Sequence, residues 1–233
     1  MKLPKATDGS AWYLGKFEAP AFKLWGSPAM LAEKLFDVLK PHGAVVQDFR
    51  IEGSGGSAAL VYEIKTYLNF VVRVKLDALE ITFNSLTSIG TEKAIKIGTG
   101  CWQAIKEADE SIDLFQHEVT ISGQHVIETE QYSKIIGGFL KVPSTFPHGT
   151  LPGIAFYMPA GQRPGDRGGS IVLDRLVFDG SLYLNIRTGM IIDPKIVAVN
   201  SIGEYIDHYV SDLYKMLDLQ VEDEWSIEIK DPN

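Results

Sequence analysis

The sequence predicts an α+β fold made by tandem duplication of a β-α-β-β-β-β-α unit, with antiparallel sheets backed by helices. Three observations predict it. Short β-branched and aromatic runs outnumber helical stripes, and turn residues separate them at close spacing. Two stripes at helical spacing each follow a Ser-Ile-Gly tripeptide: Ser88-Ile89-Gly90 and Ser201-Ile202-Gly203. Gly55-Gly56-Ser57 also returns as Gly168-Gly169-Ser170, and both recurrences, with Leu60 and Leu173, are offset by 113 residues. Internal repetition of this kind is a statement about architecture. It divides the chain into a first repeat over 11–110, a second over 111–220 with elaborated loops at 142–169, and a C-terminal strand or arm over 221–233.

In the first repeat, Ala21-Phe22-Lys23-Leu24-Trp25 reads as a strand. Ser27 and Pro28 suit the start of a helix, where a hydroxyl can cap a free N–H and proline has none to lose. Leu31, Leu35, Val38 and Leu39 then recur at helical spacing until Lys40-Pro41-His42-Gly43 stops them. Ala44 to Ile51 is strand-like, Glu52 to Gly56 a glycine turn, and Ala59 to Lys65, Tyr67 to Leu76 and Leu79 to Phe83 are strand-like again. Ser88 opens a helix whose inner face is Ala94, Ile97, Gly98, Cys101, Ile105 and Ala108, small enough for close approach to a neighbour.

In the second repeat, Ile112 to Thr120 and Gln124 to Ile127 read as strands around Ser122-Gly123, and a short helix covers Tyr132 to Leu140. Ile154 to Met158, Ile171 to Phe178, Leu182 to Arg187 and Ile196 to Val199 are strand-like. Ser201, with Glu204 three residues on, forms a capping box. The last helix carries Ile202, Ile206, Tyr209, Val210, Leu213 and Leu217 on one stripe. In the tail, Trp225, Ile227 and Ile229 alternate with polar residues, as in a strand that pairs within the chain or with a partner.

Composition sets the chemical bounds. The 233 residues carry 22 Lys+Arg against 30 Asp+Glu, a net charge of −8 that opposes binding to nucleic acid or anionic membranes. A single cysteine, Cys101, excludes an intramolecular disulfide framework. The start of the sequence has no signal-peptide core and no long apolar run follows, so a soluble cytoplasmic protein is expected.

Candidate chemistry is sparse. Asp48, Glu63 and Lys65 match the loose Asp…Glu-x-Lys spacing of a metal-dependent nuclease, since residues two apart on a strand share a face. An exposed strand of alternating charge gives the same spacing. Gly98-Thr99-Gly100-Cys101-Trp102 is similar to the Gly-x-Cys-Trp segment of transglutaminase-like and papain-like thiol enzymes, with His117 or His125 as base. That chemistry needs the helix to restart at Cys101, because a thiolate is stabilised at a helix N-terminus. A continuous helix instead makes Cys101 a small buried hydrophobe. The five histidines (His42, His117, His125, His148 and His208) lack metal-ligand spacing. A hairpin at Ser122-Gly123 would set His117 near Glu128. No nucleophile elbow, phosphate loop or dinucleotide fingerprint occurs, so neither a catalytic set, a metal nor a cofactor is expected.

Two irregular stretches stand out, Val142 to Gly153 with three prolines and Pro159 to Gly169 with four glycines. Long loops on a rigid scaffold commonly bind. Phe146, His148, Arg163 and Arg167 are therefore the predicted contact residues.

From Ile171-Val172-Leu173-Asp174 through the Ile202–Leu217 stripe to Trp225, the chain resembles a sporadically distributed group of uncharacterised bacterial proteins of similar length. That family places a His in its final helix; Asp207 stands there, with His208 one position out of register. The family has no established chemistry and implies no active site. The β-α-β4-α order resembles the TATA-binding-protein and helix-grip arrangements; the first binds DNA through a basic saddle, at odds with the acidic balance here, and the second encloses apolar ligands. The expected function is a non-enzymatic bacterial interaction or accessory protein, of antitoxin, immunity or defence-subunit type, with another protein, of basic charge, as partner. The alternative is a small apolar ligand held between the Leu31/Leu35 helix and strand aromatics.

Overall fold

The computed structural model describes residues 2–3, 7–54, 57–64, 70–85, 91–143, 145–147, 150–159, 167–176, 182–191, 215 and 217–221. The elements in chain order are β1 (Lys2–Leu3), β2 (Asp8–Phe17), α1 (Phe22–Gly26), α2 (Pro28–Leu39), β3 (Phe49–Ser54), β4 (Ser57–Ile64), β5 (Phe70–Lys75), β6 (Ala78–Phe83), α3 (Thr91–Ala108), β7 (Leu114–His125), α4 (Thr129–Gly137), β8 (Ile154–Met158), β9 (Arg167–Arg175), β10 (Leu182–Ile191) and β11 (Gln220–Val221). Short 3-10 turns occupy Lys40–His42 and Val46–Asp48.

Among the described residues, nine strands form one antiparallel sheet in the order β3-β4-β5-β6-β2-β7-β10-β9-β8. The halves thus join edge to edge through β2 and β7. Either side of that pair, the chain leaves the centre, passes through helix, enters a sheet edge and returns strand by strand. β1 and β11 form a separate two-stranded parallel pair, Lys2 opposite Gln220 and Leu3 opposite Val221.

Burial alternates strictly along β2, and the core side is Gly9, Ala11, Tyr13, Gly15 and Phe17. Sequence patterning misses this central strand for two reasons. Two core positions are glycine, and Trp12 and Leu14 on the other face blur the alternation. Gly15 answers to close approach: a Cβ there would lie 2.7 Å from the Tyr13 hydroxyl and 3.0 Å from Leu114 Cδ2. Gly9 stands opposite Gly123 of β7.

Four expectations are corrected here. Residues 22–26 form helix α1 rather than a strand over 21–25. Five residues are too few for alternation to tell the two apart, and Phe22 is exposed while Leu24 is buried. The stretch from Ala44 to Ile51 contains the 3-10 turn at 46–48 before β3 begins, and β3 extends to Ser54, through most of the expected turn. β7 runs unbroken through Ser122-Gly123, because pairing with β2 on one side and β10 on the other overrides local turn preference. Finally, β9 begins at Arg167, so 167–169 belong to a strand. The strands at 59–65, 67–76, 79–83, 154–158, 171–178 and 182–187 correspond to β4, β5, β6, β8, β9 and β10. The strand at 196–199, the capped helix from Ser201 and the tail beyond Val221 lie outside the described residues.

The 113-residue offset does not follow sheet position. Ser57 opens β4, third strand out from β2, whereas Ser170 lies in β9, second strand out from β7.

One face of the sheet carries the core. Tyr13, Phe70, Val72, Leu79, Ile81, Phe83, Val119, Ile121, Leu173 and Leu184 are buried in one cluster with Leu31, Leu35 and Leu39 of α2 and Ile97, Cys101, Trp102 and Ile105 of α3. Burying each such side chain stabilises the fold by about 1.5–3 kcal/mol before entropy is counted. α2 and α3 lie against each other, and their seam is set by glycine: a Cβ on Gly100 would meet Val38 Cγ1 at 2.6 Å. Leu31 and Leu35 are buried within this core cluster.

The seam predicts a compensating pair. Gly100→Ala pushes a methyl into a β-branched, rotamer-locked neighbour and should cost about 1–3 kcal/mol in a denaturant titration. Adding Val38→Ala should recover part of that loss; equal, additive losses would show that the two helices are not in contact there.

Candidate functional site

A concave surface lies among the described residues where α4 meets the 142–153 stretch. Helix α4 is short and amphipathic, with Tyr132, Ile135 and Ile136 turned into the core. Its end is closed by Gly138, whose N–H donates to the Ile135 carbonyl at 3.2 Å, and by Leu140, whose N–H donates to Ile136 at 2.8 Å. This closure turns Phe139 and Leu140 outward, at 43% and 42% exposure. The phenol of buried Tyr132 donates to the Pro152 carbonyl at 2.8 Å, tying the returning loop to the helix. Burial, then the negative charge of Asp174, raises the Tyr132 pKa above the ordinary phenol value, so it stays a donor. Arg175 of β9 donates to Thr129 Oγ1 at 2.9 Å and fixes the start of α4. Gly153 ends the loop against Asp174, where a Cβ would sit 2.9 Å from Oδ1.

Helix and loop enclose a cleft of about 370 Å³, walled by Ile136, Leu140, Val142, Leu151 and Pro152, with Lys141 in its lining. Apolar walls with few polar groups suit an apolar side chain or a small ligand. Turns hold the loop: the Phe146 N–H donates to Pro143 and the Thr150 N–H to Pro147. Of the four predicted contact residues, Phe146 is on this loop and 55% exposed. His148 and Arg163 lie outside the described residues. Arg167 is in β9, opposite Met190, rather than in a loop.

The sequence-level catalytic candidates are placed as follows. Cys101 is buried in the third turn of α3, which continues through Gly98 and Gly100 without a break. Desolvation pushes its pKa up to about 12, the opposite of thiolate activation. The helix restart that thiol chemistry requires is therefore absent. His117 lies on the core face of β7, opposite Gly15 and in edge-on ring contact with Tyr13 at 6.3 Å. The unbroken β7 removes the hairpin that would have set it beside Glu128. Asp48 Oδ2 accepts the Val45 N–H at 2.9 Å and so closes the 3-10 turn. Glu63 is in β4, which β5 follows; Lys65 lies outside the described residues. No three His, Cys, Asp or Glu side chains converge as metal ligands among the described residues. No helix among them is long and apolar enough to cross a membrane.

Sequence reasoning missed the polar order on the sheet face away from the core. There Glu80 accepts Trp12 Nε1 at 3.0 Å and Arg73 Nη1 at 3.2 Å, and Lys75 Nζ lies 2.6 Å from its other oxygen. Burial pushes the Glu80 carboxyl up, but the hydrogen bonds from Lys75 and Trp12 and the charges of Lys75 and Arg73 outweigh it. The net result holds Glu80 below the usual glutamate value. Across the β7–β10 pair, Asn185 Nδ2 donates to Ser122 Oγ at 2.7 Å, and that hydroxyl meets the Tyr183 phenol at 3.1 Å. Alternation in β5 and β6 was the available signal, since it sets Arg73 and Glu80 opposite each other.

No family model, curated protein or solved structure matches this chain.

Two outcomes follow from these environments. The Cys101 thiol should resist a thiol-modifying reagent in the native protein and react stoichiometrically once denaturant unfolds it; prompt native labelling would contradict its burial. Glu80→Gln should cost about 1–3 kcal/mol at pH 7, because three donors lose a charged acceptor. The folded-state pKa of Glu80 lies below that of the unfolded chain. Its contribution is therefore complete above the unfolded glutamate value and lost as pH falls through the folded one. Denaturant titrations of both proteins should converge in acid.

Proposed function

We propose that this chain is a non-enzymatic interaction protein, an accessory or immunity-type subunit, that docks another protein on its α4/142–153 surface. The observation that carries this reading is the apolar cleft beside α4, with exposed Leu140 in its wall, exposed Phe139 next to Leu140 in the chain, and exposed Phe146 on the same 142–153 stretch that supplies Val142, Leu151 and Pro152. Exposed large apolar side chains gathered at one cleft are characteristic of contact surfaces. The occupant is a partner segment presenting one or two apolar side chains. The net charge of −8 favours a basic protein, because opposite fields accelerate encounter. The cytoplasm is its proposed location. A second reading, a small apolar ligand in the same cleft, is favoured by the volume of about 370 Å³.

The architecture belongs to the proposal as well. The chain is read as a tandem duplication of one α+β unit, the second copy carrying elaborated loops. Support comes from the shared path of the two halves, in which a central strand leads through helix to a sheet edge and back.

Affinity capture from source cells with intact-complex mass spectrometry tests the reading. The unaltered chain should recover a stoichiometric protein, and Phe146→Asp or Val142→Asp should reduce that recovery at least tenfold with an unchanged melting midpoint. A small molecule recovered without protein would replace this reading with the second one. A partner held equally well by both variants would move the contact surface elsewhere.

A further inference from the structure

The two edges of the nine-stranded sheet differ in kind. An edge strand displays unpaired N–H and C=O groups, and proteins usually blunt it with charge, proline or a bulge. β3, at one edge, carries exposed Arg50, with Glu52 two residues on in sequence. β8, at the other, is Ile-Ala-Phe-Tyr-Met. It holds no charge and no proline, and its pairing with β9 runs without a register shift from Ile154 opposite Leu173 to Met158 opposite Gly169. Among the described residues β9 is its one neighbour.

The side chains of β8 are self-complementary. Ile154, Phe156 and Met158 are half-buried on the core side, packed against the hydrophobic cluster, while Ala155 and Tyr157 are exposed on the other face, Tyr157 at 81%. Laid antiparallel on a second copy about Phe156, the strand sets Ile154 against Met158 and Ala155 against Tyr157, each twice. Small then meets large on the open face, and apolar meets apolar on the core face. Phe139 packs edge-on against Phe156 at 5.4 Å and, being 43% exposed, would gain cover from the second copy. The occupant is a second copy because the strand is its own complement in this register; two chains of net charge −8 repel at long range, but the seam itself brings no charged side chains into opposition. Antiparallel pairing also keeps both helix layers on one side of the joined sheet.

We propose that β8 is the seam of a twofold dimer, in which Ile154–Met158 of one copy pairs antiparallel with Ile154–Met158 of another and continues the sheet. This self-association uses the strand edge rather than the cleft, and the two surfaces meet at Phe139, which packs on Phe156.

Sedimentation equilibrium of the full chain over a wide concentration range tests it, with two variants confined to exposed positions. The unaltered protein should be a dimer. Ala155→Lys with Tyr157→Lys places like charges opposite each other and should weaken dimerisation at least tenfold. Ala155→Lys with Tyr157→Glu sets each Lys against a Glu across the twofold and should retain the dimer. Circular dichroism should be the same for all three. A monomer at every concentration, a dimer that survives the double lysine, or loss of the dimer in the Lys/Glu variant would each overturn the proposal. So would dimerisation seen only after removal of residues 222–233, which would assign the edge to the chain's own tail.

Discussion

The pairing of β2 with β7 is the constraint on which the remaining structure depends. Nine successive residues, Asp8 to Lys16, lie in register against Gln124 to Gln116, and the register then shifts so that Phe17 meets Leu114, leaving Phe115 between. β6 hangs from the outer side of β2 and β10 from the outer side of β7, so every other strand reaches the centre through this pair. Without it the sheet divides in two. The pairing closes a loop of about a hundred residues, and its entropy cost must be met before the contact contributes, which makes this a slow-forming element. At Gly15 the absent side chain leaves room for the Tyr13 ring and Leu114, and Gly9 stands opposite Gly123.

A sheet with helices on one face divides the labour of its side chains by parity. Even a residue as polar as His117 is drawn into the interior when it falls on the core parity. Trp12, by contrast, is turned to the open face, where its indole N–H has Glu80 as acceptor. The Glu80 cluster and the Ser122–Tyr183–Asn185 group occupy that open face as satisfied networks. Each polar side chain holds its neighbour in one orientation, which orders the surface.

The helical layer rests on one close contact. Gly100 admits Val38 of α2 to the backbone of α3, and this nearness brings Leu31, Leu35 and Leu39 over the same cluster as Ile97, Cys101 and Ile105. Cys101 is part of that packing, and its raised pKa follows from it. In the second half, α4 is held by its tie to Pro152 and by the Arg175 contact with Thr129. Its end leaves Phe139 and Leu140 outward, and loop, cleft and β8 edge are gathered at one end of the sheet.

Much of this was legible in order along the chain. The apolar spacing of Leu31, Leu35 and Leu39 defined α2, the small inner face of residues 94–108 announced a close helix contact, and β-branched and aromatic runs marked β5, β6, β8, β9 and β10. The exposed loop bearing Phe146 was readable from its prolines. Local sequence determines such features because each depends on neighbours a few residues away. Other features were decided by tertiary pairing. β2 gave little alternation because two of its five core positions are glycine and Trp12 and Leu14 stand on the opposite face. Ser122-Gly123 has the composition of a turn, yet two flanking strands hold it extended. The edge status of β8, the burial of Cys101 and the convergence of Trp12, Arg73 and Lys75 on Glu80 depend on strand order. Strand order is fixed by contacts between residues more than a hundred positions apart, as in Asp8 opposite Gln124, which no local pattern encodes.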